Sequence, residues 1–324
     1  MFISIIFPLC YGFALFLFGM KLMELALHLW AGPYLTKAIA VSTKTPLRGL
    51  LFSTGVTALL QSSTAITVIT IGLVNAGLLP FASSLGIILG SNIGTCLTTE
   101  LIGLNLNQYA LPLLLVSLGI WALAVTIAEY KPRALDSIAS WIRTAQYLSL
   151  AVAGFSLILI GIEEMKSIAP ALQARGLFNW FLEQSAQSLL WGLAAGACIT
   201  ALIHSSAAMI GLTMGLATMN AIPVELGIAI VIGSNIGTCV TALIASLGGS
   251  RSGRNVAWTH VVLNVGGAIL FYPFLAQLHT VSSWMTPDPA AQIAHAQTIF
   301  NVVSSVVALP LCYLPVWRRM RTEF

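Results

Sequence analysis

Five apolar runs, residues 2–20, 109–128, 145–162, 257–278 and 295–317, are each long enough to cross about 30 Å of hydrocarbon as a helix of roughly 20 residues. Two longer blocks, 49–104 and 187–247, are as apolar overall but carry polar clusters at their middles. With 58% hydrophobic and 7% charged residues and a mean hydropathy of +0.93, the chain lies outside the soluble class. It reads as a polytopic membrane protein. The opening "MFISIIFPLC" has no positive leader and no small-residue cleavage pattern before Lys21, so the first run is expected to stay as a helix. The net charge of +4 forms no basic patch of the kind a nucleic acid needs. Cys10, Cys96, Cys198, Cys239 and Cys312 lie in apolar segments without CxxC or Cys/His metal spacing. They are expected to be buried thiols acting as small hydrophobes, with a redox pair of Cys96 and Cys239 as the alternative.

The chain repeats itself. Adding 143 to a residue number carries Thr57 to Thr200, Ser62 to Ser205, Gly72 to Gly215, Pro80 to Pro223 and "GSNIGTC" at 90–96 onto 233–239, with no gap. Orientation follows from lysine and arginine, which accumulate on cytoplasmic loops. Lys21, Lys37, Lys44 and Arg48, then Lys131, Arg133 and Arg143, then Arg251 and Arg254, and finally Arg318, Arg319 and Arg321 mark four inside segments. The acidic 163–186, the 279–294 segment with Asp288, and the uncharged "NLNQ" at 105–108 go outside. Repeat 1, about 49–104, then enters from inside and leaves outside, whereas repeat 2, about 192–247, does the opposite. The expected fold is an all-α integral membrane protein with two inverted-topology repeats, each a re-entrant helical hairpin plus a broken transmembrane helix. The order of hairpin and spanning helix stays open. In this reading 21–48 is a cytoplasmic connector and 163–186 an external one, with "ALQARGLFNWFLEQ" at 171–184 as an interfacial helix. Inverted repeats with a site near the midplane are typical of secondary transporters.

The polar clusters define the chemistry. Windows 49–104 and 192–247 contain no Lys or Arg and only Glu100 and Glu225 as acids. Whatever binds there meets hydroxyls, amides and the ends of interrupted helices. Hydroxyls and amide N–H groups donate to an oxyanion, and helix N-termini add oriented N–H groups. Carbonyls and hydroxyl lone pairs suit a hard cation. The competing reading is ordinary helix packing through Ser, Thr and Gly. His204 is either a core histidine or a group in substrate or proton coupling. Catalysis gains no support: "HSS" at 204–206 lacks an embedded acid and a nucleophile elbow, and no phosphate-cradling or dinucleotide motif occurs.

"QSSTA" at 61–65, its partner "HSSAA", both copies of "GSNIGT", "RNVAWTHVVLNVGG" at 254–267 and "AHAQTIFN" at 294–301 together resemble the type II sodium/phosphate cotransporter family, over most of residues 49–317. The resemblance implies sodium-coupled phosphate symport, with Na+ as coupling ion and no other metal or cofactor. It places Gln61, Ser62, Ser63, Thr64, His204, Ser205 and Ser206 around the substrate. It makes Ser91, Asn92, Thr95, Ser234, Asn235 and Thr238 candidates for sodium. His260, Asn264 and Asn301 become gate contacts or a polar staple, His260 and Asn264 sharing a helix face. His204 and Ala207 stand where the family usually has glutamine and a hydroxyl. Arg254, Ala257, His260 and Asn264 form a pattern that has no counterpart at 111–121. Many bacterial members continue into a PhoU-like cytosolic domain, so with the chain ending at Phe324 such regulation is expected from a separate partner. The expected location is a bacterial inner membrane, N-terminus outside and C-terminus cytoplasmic. The rival readings are phosphate efflux, transport of sulfate, arsenate or a carboxylate, a channel, and a non-transporting phosphate-sensing subunit.

Overall fold

Backbone groups shielded from water must be satisfied within the chain, and the residues described by this computed structural model, 5–42, 45–130, 139–168, 170–171, 179–315 and 317, do so through helices. In chain order these are α1 (Phe7–Ser42), α2 (Pro46–Leu60), α3 (Ser63–Asn75), α4 (Phe81–Gly103), α5 (Ala110–Tyr130), α6 (Ala139–Lys166), α7 (Asn179–Gln187), α8 (Leu190–Ile203), α9 (Ser206–Thr218), α10 (Val224–Gly237), α11 (Cys239–Ala245), α12 (Arg251–Phe271), α13 (Leu275–Met285) and α14 (Pro289–Ala308). No strand occurs among the described residues. Among the described residues, seven stretches are long and apolar enough to cross a membrane: Phe7–Gly32, Phe81–Gly103, Asn107–Glu129, Ala139–Lys166, Val224–Ala245, Arg251–Met285 and Pro289–Tyr313. The helices divide into two compact units.

The first unit, Met1–Leu35 with Asn105–Leu172, packs the start of α1, α5 and α6. Small residues let two helix backbones approach closely where lipid supplies no hydrophobic drive. Gly12 and Gly19 of α1 face Gly161 and Gly154 of α6, and a methyl added at any of the four would lie 2.5–2.7 Å from the partner glycine's carbonyl oxygen. Phe16, between them on α1, is fully buried. The indole N–H of Trp30 donates to Thr144 Oγ1 at 3.3 Å, and Gln146 donates to the Ala124 carbonyl at 3.2 Å. The connector expected over 21–48 is instead helical as far as Ser42. Lys21 does not end the helix because its ammonium pairs with Glu24 one turn on, at 3.1 Å.

The second unit, Thr36–Leu104 with Gln173–Phe324, contains both repeats. Its dominant pairings are α2 along α4 and α8 along α10, equivalent pairs in the 143-residue register. Thr45 starts α2 by accepting the Arg48 N–H, with Pro46 in the first turn. On α4, Gly86, Gly90 and Gly94 form a flat stripe beneath α2. A methyl at Gly86 or Gly90 would be driven into the Pro46 or Leu50 carbonyl, and one at Gly94 would lie 2.5 Å from Thr57 Cβ. Repeat 2 packs the same way: Gly233 meets the Leu193 carbonyl, and Gly237 lies 2.6 Å by the same measure from Thr200 Cβ.

That packing corrects the expected broken helix. In repeat 1, α4 runs without interruption through "GSNIGT" from Phe81 to Gly103. In repeat 2 the only departure is at Thr238, between α10 and α11, whose φ of −61° and ψ of −21° remain in the right-handed helical region. The motif glycines serve close helix approach and not chain breaking. Two further corrections concern the cysteines: Cys10 and Cys198 are exposed on the helix surface, whereas Cys96, Cys239 and Cys312 are buried as expected. Helix α7 covers the end of the expected interfacial segment at 171–184, and its residues 172–178 lie outside the described residues, as do Lys44, Lys131, Arg133, Arg318, Arg319 and Arg321.

Candidate functional site

The breaks fall at the hydroxyl tracts. At the end of α2, Gln61 takes the left-handed conformation, φ 57° and ψ 25°, and the next residue, Ser62, is extended at φ −143°. At the end of α8, His204 has φ 54° and ψ 27°, followed by Ser205 at φ −144°. A non-glycine residue in that region costs roughly 1–2 kcal/mol, so the same strained geometry at equivalent positions of both repeats is an imposed feature. Each break leaves a helix C-terminus beside a helix N-terminus, with partial charges of about half an elementary charge of opposite sign. The carbonyl end suits a cation, the N–H end an oxyanion.

Hydrogen-bond direction separates the two kinds of hydroxyl. Ser62 Oγ accepts the Ala65 N–H at 3.3 Å and Ser205 Oγ accepts the Ala208 N–H at 3.2 Å. A capping serine accepts the amide N–H through a lone pair of its oxygen, so any bond its own O–H makes is a donated one, the polarity an anion requires. The "GSNIGT" hydroxyls do the reverse. Ser91 donates to Ile88 O at 2.8 Å, Thr95 to Ser91 O at 2.9 Å, Ser234 to Val231 O at 2.7 Å and Thr238 to Asn235 O at 2.6 Å. With their protons committed to helix carbonyls, these oxygens can only accept, the polarity a cation requires.

Ser91, Ser234, Asn235 and Ser206 are buried; Gln61, Ser62, Ser63, Thr64, Asn92, Thr95, Ser205 and Thr238 are half-buried, and His204 is exposed. Repeat 1 is tied together by Thr98 Oγ1 donating to Gln61 Oε1 at 2.6 Å, a bond the imidazole of His204 does not reproduce at Thr241, which donates to the Thr238 carbonyl. Gln61 also donates to the Ala58 carbonyl, satisfying one of the last acceptors of α2. Asn92 donates to Asn264 Oδ1 at 3.2 Å, and Asn264 in turn donates to the His260 carbonyl at 2.9 Å. Asn301 donates to Cys96 Sγ at 3.3 Å. Asn264 and Asn301 therefore attach to the middle of α4, whereas both ring nitrogens of His260 are buried without a partner. The helix after each break also reaches the opposite repeat, with α9 packed on α4 and α3 on α11. The two acids are engaged: Glu100 with His295 at 2.9 Å and with Thr298 at 2.6 Å, Glu225 with His279 at 3.2 Å.

Four buried polar residues were missed by sequence reasoning or given no role there. Thr57 and Thr200, fully buried, hold hydroxyls without a hydrogen-bond partner one turn before each break. Thr98 was absent from the expected set because its link to Gln61 depends on the fold. Gln297, 1% exposed, has neither amide atom partnered. Its signal was available: Ala294, Gln297 and Asn301 repeat the spacing of Ala257, His260 and Asn264. Two surface clefts, one of about 820 Å³ beside Glu225 and Tyr272 and one of about 250 Å³ beside Trp258 and Trp317, are lined by no residue of the tip or "GSNIGT" motifs.

The sequence profile described as Na+/Pi-cotransporter matches residues 15–167 and 157–286. The Bacillus subtilis protein YqeW is 33% identical over 299 residues, covering 92% of both chains. The Escherichia coli putative inorganic phosphate export protein YjbB is 27% identical over 257 residues, 79% of this chain and 44% of its own length. The rabbit sodium-dependent phosphate transport protein 2A is 44% identical over 87 residues, 26% of this chain and 14% of its own. No solved structure matches.

Proposed function

Because the chain belongs to the Na+/Pi-cotransporter family, we propose that it carries inorganic phosphate with sodium across a bacterial plasma membrane by alternating access. The observation that supports this most is the pair of equivalent backbone breaks, each with a left-handed residue followed by an N-capping serine. In this reading each break is the tip of a re-entrant hairpin within one of two inverted repeats, and the tips meet across the anion. Ser62, Ser63 and Thr64 from one side and Ser205 and Ser206 from the other donate to phosphate oxygens, with Gln61 and His204 holding the tips. Ser91, Asn92 and Thr95, and Ser234, Asn235 and Thr238, offer oxygen acceptors to sodium. Sodium is needed for charge as well as for coupling. A phosphate entering windows without Lys or Arg has no fixed cation to meet, and an uncompensated buried charge is costly.

A second reading, outward transport, draws on the relative named as a putative phosphate export protein. Proteoliposomes loaded or bathed with labelled phosphate, each under a sodium gradient and under potassium, test both. Sodium-driven accumulation supports symport into the vesicle. Movement only down the phosphate gradient, indifferent to sodium, would favour export or a channel.

A further inference from the structure

The two breaks match in backbone but not in how they are held. Three side-chain ties link the repeat 1 break, α4 and α12 to one another, and none recurs 143 residues on. At the break, Thr98 Oγ1 of α4 donates to Gln61 Oε1 at 2.6 Å. Its equivalent Thr241 donates to the nearby Thr238 carbonyl, and the exposed ring of His204 has no hydrogen-bond partner among the described residues. Asn92 Nδ2 of α4 donates to Asn264 Oδ1 of α12 at 3.2 Å, whereas the equivalent Asn235 has its Nδ2 buried and unpartnered. At the far end of α3, Asn75 Oδ1 accepts both the N–H of Ser250, at 3.1 Å, and its hydroxyl, at 2.7 Å. The equivalent Thr218 ends α9 with a bond to the Met214 carbonyl of its own helix. The Asn75 tie depends on glycine: a methyl at Gly253 would be driven into Asn75 Oδ1, and one at Gly249 would lie 2.8 Å from Asn75 Nδ2. Ser250 is the N-cap of α12 and also accepts the Gly253 N–H at 3.1 Å, so one hydroxyl starts α12 and fastens α3 to it.

The ties close a ring. It runs from Gln61 along α3 to Asn75, across Ser250 into α12, from Asn264 to Asn92 on α4, and from Thr98 back to Gln61. Helix α3 is thus fastened at both ends, and its N-terminus at Ser62 has one place to be. Burial does not make up the difference at the other break. Helix α9 buries more of its length than α3, but apolar contact is non-directional and lets a helix slide, where hydrogen bonds fix a position. Moving elements are drawn from the less firmly held parts of a structure. We propose that the Gln61–Ser62 break is the fixed wall of the substrate site, with Asn75 as a positioning residue for it, and that the His204–Ser205 break is the wall that moves to admit and release the substrate. This rests on the phosphate reading above and adds a division of labour to it: histidine at 204 and threonine at 218, where repeat 1 has glutamine and asparagine, leave the second wall free to move.

The test uses Leu59 and Leu202, exposed and equivalent positions one turn before each break, and Val262, exposed on α12. In a Cys10→Ser, Cys198→Ser chain, nitroxide labels on Leu59→Cys with Val262→Cys, and on Leu202→Cys with Val262→Cys, report two distances by pulsed electron spin resonance. The Leu202 distance is expected to be the broader without ligand and to shift and narrow when sodium and phosphate are added, while the Leu59 distance stays narrow and in place. Equal widths without ligand, or a ligand-induced shift at Leu59 alone, overturn the proposal. His204→Gln, which offers Thr241 the acceptor that Thr98 has, should narrow the Leu202 distance; an unaltered width removes the role given to histidine. In proteoliposomes at saturating sodium, Asn75→Ala should raise the phosphate KM about fivefold with kcat unchanged. Asn75→Asp, which keeps an oxygen for both Ser250 donors, should restore it, and Thr218→Ala should leave it as in wild type. An unaltered KM in Asn75→Ala removes Asn75 as a positioning residue. Should that variant fail to fold, Ser250→Ala, which deletes one of the two bonds, decides: a raised KM supports the assignment, an unaltered one removes it. Wild-type vesicles that take up no phosphate would refute the phosphate reading, and the distances without ligand would still decide which wall is held.

Discussion

The glycine stripe on α4 makes a sharp prediction. At Gly90 a new methyl group would enter the space of the Leu50 carbonyl, and at Gly233 that of the Leu193 carbonyl. Both obstacles are backbone, so no rotamer change relieves them and α2 or α8 must move away from its partner. Overpacking of this kind costs typically 1–3 kcal/mol. It outweighs the roughly 1 kcal/mol that alanine gains over glycine in a helix. Gly72, on α3, and Gly119, on α5, would meet nothing within 4 Å, so the same substitution there keeps only the gain. The gain is common to all four variants, so Gly90→Ala and Gly233→Ala are expected to lie about 1–3 kcal/mol below Gly72→Ala and Gly119→Ala. In thermal unfolding of the detergent-purified protein that separation is on the order of a few degrees. Equal unfolding temperatures for the four variants would refute the claim that the motif glycines exist for close helix contact, and would reopen the idea that they mark a flexible break.

Maleimide labelling of the folded protein in detergent should leave Cys96 and Cys239 unreacted until denaturation; rapid labelling of this buried pair would contradict the packing of α4 and α11. Replacing Thr98 by valine removes the bond to Gln61 while keeping the shape, and should cost about 1 kcal/mol of stability together with part of the uptake; Thr241→Val, which breaks only a local bond, should spare uptake.

The position of each break was legible because the hydroxyl tract interrupts an apolar run twice in one register. A serine just after a break can cap the next helix, whereas one inside a helix back-bonds to a carbonyl. The state of "GSNIGT" was not legible. A glycine pair in a helical run signals either a break or close approach, and only the carbonyls of Leu50 and Leu193 beneath it decide. Lys21 misled for a related reason, since a charge ends an apolar run but not a helix when Glu24 lies one turn away. The partnership of α14 with repeat 1 escaped because it lies outside the 143-residue register. Its motif shares only Ala, Asn and Val with α12, the fourth position having changed from histidine to glutamine. Thr98 shows the same limit at a single residue: its value lies in reaching Gln61 from α4, and residue spacing does not contain that distance.

The central claim is that the two serine-capped breaks hold one phosphate between them. Binding of labelled phosphate to the purified protein in saturating sodium, compared for wild type, Ser62→Ala, Ser205→Ala and the double variant, tests it most directly. Each single change should weaken phosphate binding by about tenfold or more, at a stability cost near 1 kcal/mol for the lost cap, and stoichiometry should be one phosphate per chain. Full affinity in either single variant, or two phosphates lost one at a time, would contradict a shared site.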